Sequence, residues 1–177
     1  MKYIKQNEII DFILHSYKED LGIDFELYHN HVYRVFNYAI ANITSDLDHR
    51  KIAIAVAFHD LGIWTNNTFD YINPSKALAK KYCVIHSIDD ASIVDIERMI
   101  DDHHKLTKIT DNELSEVFRQ ADLTDLSWGL IHRSMKQTDI RKIKQLFPNK
   151  GFHRNLCGLF FKNLFINPLR PLPMFKR

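Results

Sequence analysis

Glycine and proline are scarce in this chain, five of each in 177 residues, and cysteine is scarcer, with only Cys83 and Cys157. The two cysteines form no C-x-x-C pair and no short spacing, which excludes a disulfide framework or a thiolate zinc site and predicts buried, reduced thiols. Long apolar runs are missing as well. The segments IAIAVAF and CGLFF fall well short of the roughly 20 residues of a membrane span, and MKYIKQNEIIDFILHSYKED is too broken by charge to be a signal-peptide core. A cytoplasmic protein with no membrane partner is therefore expected. Nor is there a charge excess: 24 Lys and Arg face 22 Asp and Glu, scattered along the chain, so the net charge of +2 demands no nucleic-acid partner.

What is present is ordinary in amount, 45% hydrophobic and 26% charged residues, which excludes a disordered or coiled-coil chain. The length predicts one domain over residues 1–177 with one core. Helix formers and apolar stripes of 3.6-residue period recur throughout, without repeats, so the fold class is all-α. The stripes predict a helix over about 6–20 ended by Gly22, and a second opening at Asp24 as N-cap and carrying Phe25, Tyr28, Val32, Val35, Phe36, Ala39 and Ile43. The segment KIAIAVAFHDLG alternates like a strand, but its alanines favour a buried helix ending near Gly62. Further helices are predicted at about 74–85, 90–105 and 112–131. Two more follow from Thr138, joined by FPNKGF and docked through Leu156, Leu159, Phe160 and Leu164, before the Pro-punctuated tail NPLRPLPMFKR.

One count stands out: ten histidines. His31 sits at the edge of the second stripe, His59-Asp60 closes the most apolar helix, and the stripe through Ile93, Ile96 and Ile100 runs on into His103 and His104. In the 112–131 helix, Asp122 and Asp125 occupy stripe positions where leucines belong. A carboxylate on an apolar stripe is costly unless it is paired, protonated or bound to a cation. For Asp122 alone, a salt bridge explains it as well as a metal does. The neighbouring charge of His59-Asp60 makes a shared cation the better account, and imidazole with carboxylate suits zinc, manganese, iron, nickel or cobalt.

The segments HNHVYRVFNYA, AVAFHDLGIW and RQADLTD resemble, in order and spacing, the H…HD…D signature of the HD-domain superfamily of metal-dependent phosphohydrolases. The resemblance covers about residues 24–130. It implies a helical bundle around one divalent metal ion held by His31, His59, Asp60 and Asp122, and hydrolysis of a small phosphorylated substrate, a nucleotide or simple phosphoester, by metal-activated water. It makes Asp125, His103 and His104 the candidates for moving or holding protons, with Asp125 equally readable as a partner that orients a histidine or arginine. Arg34 and Lys105 are the candidate cations for a phosphate, Arg34 being as readily a structural ion pair, and Trp64 and Tyr71 are candidate pocket walls. Two-metal members carry a further histidine after HD. Here Asp70, Tyr71 and Asn73 fill that stretch and His86 comes too late, so a mononuclear site is favoured, with His103 and His104 inequivalent, one in the cleft and one at the rim. A mononuclear zinc hydratase similar to cyanamide hydratase is the nearest alternative, followed by a non-catalytic nucleotide-binding module.

Overall fold

A computed structural model describes residues 3–132, 135–169 and 172–174, and its regular elements are all helices. They run α1 (Glu8–Ser16), α2 (Lys18–Leu21), α3 (Phe25–Ala39), α4 (Asp46–Phe58), α5 (Gly62–Thr65), α6 (Ile72–Ile85), α7 (Asp90–Asp102), α8 (Glu113–Leu126), α9 (Gln137–Leu146) and α10 (Phe152–Ile166). The all-α class therefore holds. No helix among the described residues is long and apolar enough to cross a membrane. The predicted tail lies partly outside the described residues, at 170–171 and 175–177.

Local chemistry sets the helix ends. The Asn7 side chain accepts from the Ile9 and Ile10 amides at the start of α1, Ser45 accepts from Asp48 at α4, Asp89 from Ser92 at α7, and Asn112 from Ser115 at α8, each satisfying amides that a helix leaves unpaired. The long first helix breaks at Tyr17, whose ring packs on Phe58, and Gly22 ends α2 at φ +52°, a left-handed backbone that glycine adopts freely. Asp24 is not the predicted side-chain cap. Its carboxylate instead accepts from the Trp64 indole at 3.0 Å and the Asn155 amide at 2.9 Å, tying α3, α5 and α10 together.

The hydrophobic centre is α4, whose residues from Ile52 to Phe58 are all buried. It packs on α1, α3, α6 and α7, while α3 lies along α8 and α7 bridges α6 and α8. With neighbours on every side, α4 can be apolar all round, which is why its periodicity was ambiguous. It stops at Phe58, before Gly62. That glycine starts α5 and lets backbone approach: a Cβ there would lie 2.6 Å from the Tyr71 carbonyl oxygen and 2.9 Å from Pro74 Cβ. The last helix docks differently from the prediction. Phe152 is its buried residue, Leu156 and Leu159 are only partly covered, and Cys157 is exposed rather than buried because it lines an open cleft beside α10.

Candidate metal centre

Four helix ends and faces converge on one buried point. His31 comes from the middle of α3, His59 and Asp60 from the turn that follows α4, His103 and His104 from the end of α7, and Asp122 from α8. Breaking α4 at Phe58 matters here, because it turns Asp60 inward beside His59. Tyr28 holds that turn: its hydroxyl donates to the Ala57 carbonyl at 3.1 Å and accepts from the Asp60 amide at 3.3 Å. In the sequence Tyr28 belongs to an apolar stripe, and only the fold brings its hydroxyl to this turn.

The tautomers follow from acceptors that cannot donate. His31 Nδ1 faces Asp125 Oδ2 at 2.8 Å, His59 Nδ1 the Val56 carbonyl at 2.8 Å, and His103 Nδ1 the Ile100 carbonyl at 2.7 Å. Each ring thus carries its proton on Nδ1 and presents an Nε2 lone pair inward. His31 Nε2 and His59 Nε2 stand only 3.0 Å apart. Two lone pairs repel at that distance unless a proton or a metal ion lies between them.

The carboxylates complete the argument. Asp60 Oδ2 lies 3.3 Å from His59 Nε2 and 3.6 Å from His31 Nε2, and Asp122 Oδ1 lies 3.8 and 3.6 Å from the same atoms. Asp60 Oδ1, His103 Nε2 and both Asp122 oxygens are buried with no hydrogen-bond partner among the described residues. An unsatisfied buried polar atom costs about 1–3 kcal/mol, more if charged, so four around one point mark a place for a cation. The donor set fits a divalent ion, with His31, His59 and Asp60 as one group within bonding reach and Asp60, His103 and His104 as a second that shares Asp60.

No family model, curated protein or solved structure matches the chain. The reading of the centre rests on its chemistry.

The electrostatics agree with that chemistry. Burial opposes a charged His31, but the Asp125 and Asp60 carboxylates carry its pKa up to about 9, so without metal the cluster recruits a proton. Burial also opposes charge on Asp60 and Asp122, yet the facing histidines hold both carboxyls below their usual range. Burial and the neighbouring His103 push His104 down to about 3, leaving a neutral imidazole fit for ligation.

The remaining predicted residues separate. Asp125 stands behind His31 with both oxygens committed: Oδ2 takes the His31 proton and Arg34 Nη2 at 2.8 Å, and Oδ1 takes Arg34 Nε at 2.6 Å. It orients His31 and has no free edge for a reacting group. Arg34 is correspondingly spent, since Nη1 donates to the Phe147 carbonyl at 3.1 Å, and it lines neither cleft at the centre. Trp64 packs on Tyr28 and anchors α5 through Asp24; it lines neither cleft at the centre. Tyr71 does come to the site, with its hydroxyl 2.6 Å from His104 Nε2. His103 and His104 both face the centre because α7 ends at Asp102, which frees the chain to turn His103 Nε2 toward Asp60 Oδ1 at 3.4 Å and His104 Nδ1 toward Asp122 Oδ2 at 4.0 Å. They differ in exposure, His103 being buried and His104 partly open. Lys105 borders a cleft of about 100 Å³ together with His104 and Asp122. Phe152, which the sequence did not single out, stacks on His31 with ring centroids 3.9 Å apart.

Proposed function

We propose that this chain is a metal-dependent hydrolase of the kind its H…HD…D pattern resembles, acting on a small phosphoester. The observation that carries the reading is the convergence of three Nδ1-protonated imidazoles and two carboxylates in a buried centre, where Asp60 Oδ1, His103 Nε2 and both Asp122 oxygens have no hydrogen-bond partner among the described residues. His31, His59, Asp60 and Asp122 are the residues that would hold a divalent ion, and such an ion supplies Lewis acidity and water activated near neutral pH.

The chain's own groups supply the rest. Asp125 and Arg34 fix the His31 ring, and the Val56 and Ile100 carbonyls fix His59 and His103, so the ligand atoms are set before a metal arrives. Tyr71 and His104 share a short hydrogen bond at the cleft wall and form the nearest pair able to hold a proton beside a substrate oxygen. Lys105 provides a cation on the side of the smaller cleft, where a phosphate would need one.

The second ligand group, Asp60 with His103 and His104, favours a variant in which two ions would be held, Asp60 belonging to both groups. Addition of water to a neutral nitrile-like substrate is favoured by another observation: no lysine or arginine is among the described residues that line the larger cleft. Metal analysis after reloading with zinc, manganese, iron, nickel or cobalt, run beside a turnover screen of phosphomonoesters, nucleotides, cyclic nucleotides and small nitriles, tests all three. Phosphoester turnover that needs metal and vanishes in Asp122→Asn supports the proposal. Absence of stoichiometric metal overturns it.

A further inference from the structure

The larger opening at the centre is a cleft of about 240 Å³ whose walls include Asp60, Tyr71 and His104. Everything else around it is apolar or weakly polar: Phe69, Leu126, Leu156, Cys157, Phe160, Leu172 and Met174. Phe69 comes from the loop before α6, Leu126 from the end of α8, Leu156 and Phe160 from α10, and Leu172 and Met174 from the returning tail. Four separate stretches of chain thus contribute carbon to one concavity. Met174 is buried against Ile63, Tyr71 and Ile72, which holds residues 172–174 over this side of the bundle. A wet apolar concavity costs free energy unless something fills it, and a binding pocket has this form, mostly apolar with a few polar groups at the reacting point.

We propose that the cleft seats an apolar group of the substrate, an unbranched alkyl chain or a single aromatic ring carried on the reacting phosphoester, so that the enzyme selects hydrophobic monoesters over nucleotides and sugar phosphates. The inference deepens the hydrolase reading and rests on it for the reacting end alone. The size fits, since a cavity of about 150 Å³ lined by Leu, Ile and Phe takes a benzene ring. The polarity fits better: a ribose or sugar would bring hydroxyls against Leu126, Leu156 and Phe160, where the wall offers them no partner. The smaller cleft shares His104 and Leu126 with the larger one and carries Lys105, so a charged head and an apolar tail can lie on the two sides of His104.

Cys157 makes a reporter that does not depend on turnover. It is exposed and lines the cleft, whereas Cys83 is buried, and burial pushes its thiol up to about 11, so a thiol reagent reads Cys157. Alkylation of Cys157 by iodoacetamide is followed in the metal-loaded full chain with n-alkylphosphonates from ethyl to hexyl, and with their hydroxyl-terminated analogues. The half-protecting concentration should fall roughly fourfold per methylene, as about 0.8 kcal/mol per buried CH2 requires, and the terminal hydroxyl should cancel the gain. Turnover of n-alkyl phosphates should rise in kcat/KM along the same series. Cys157→Phe should keep the metal and lose hexylphosphonate binding at least tenfold by calorimetry, with Cys157→Ser near wild type. Protection that ignores chain length, or a metal-loaded Cys157→Phe that binds hexylphosphonate as wild type does, overturns the proposal. Length-dependent protection without turnover of any ester upholds the cleft and removes the hydrolase reading.

Discussion

Replacing Asp125 by Asn separates what this carboxylate does for folding from what it does for the metal. Asp125 accepts two bonds from Arg34 and one from His31, and all three residues are buried, Arg34 with only 2% of its surface exposed. Removing one partner of a buried pair leaves an uncompensated charge, which costs about 3–5 kcal/mol. Asn keeps one acceptor oxygen for Arg34, so the lower figure, about 3 kcal/mol, is expected in urea denaturation of the metal-free protein. The metal effect is separate. Without an anionic acceptor His31 loses the bond that fixes its tautomer, and such losses typically weaken metal affinity about 10–100-fold. Competitive titration with a chromophoric zinc chelator reads that number. The double variant Arg34→Met/Asp125→Leu removes both charges and should recover most of the stability, because well-packed apolar residues replace buried pairs at little cost. It should not recover the zinc affinity, since His31 still lacks its acceptor. If Asp125→Asn changes stability by under about 1 kcal/mol, or if the double variant restores zinc binding in full, Asp125 is not the group that sets His31.

Three further outcomes are expected. Gly62→Ala should cost about 1–3 kcal/mol in thermal or denaturant unfolding, because its Cβ would meet the Tyr71 carbonyl and Pro74 at 2.6 and 2.9 Å; an unchanged midpoint would contradict that close approach. Glu116 is opposed by burial but held by Arg119 and the Ile109 amide, its pKa lowered from 4.5 to about 2. A carboxyl depressed on folding stabilises above its unfolded pKa, so the stability gap between wild type and Glu116→Gln should shrink as pH falls from 4.5 toward 2; a constant gap would mean the charge is not the cause. Lys105→Gln should raise KM for the best phosphoester about tenfold, near 1.4 kcal/mol, with metal content unchanged, and wild-type kinetics would move the phosphate away from the smaller cleft.

Much of the fold was legible because short-range chemistry wrote it. Apolar spacing placed the helices, while the caps at Asp89 and Asn112 became visible only in the structure. The same logic flagged His31, His59, Asp60 and Asp122, since ionisable groups on apolar stripes need a shared partner, and the structure brings all four together. Local reading fails where a side chain's partner is remote in the chain. Asp24 resembles a cap until Trp64 and Asn155 claim it, and Arg34 resembles a phosphate ligand until Asp125, 91 residues away, accepts two of its bonds. Nothing in periodicity shows that α7 ends before His103, or that Phe152 lies flat on His31. The sequence by itself determined which ionisable residues lie on apolar stripes and therefore need buried partners. Only the tertiary structure decided which lone pairs face inward and which carboxylates stand behind the ligands. It also decided that carbon from four distant segments walls the cleft, because orientation and enclosure depend on contacts that chain spacing does not encode.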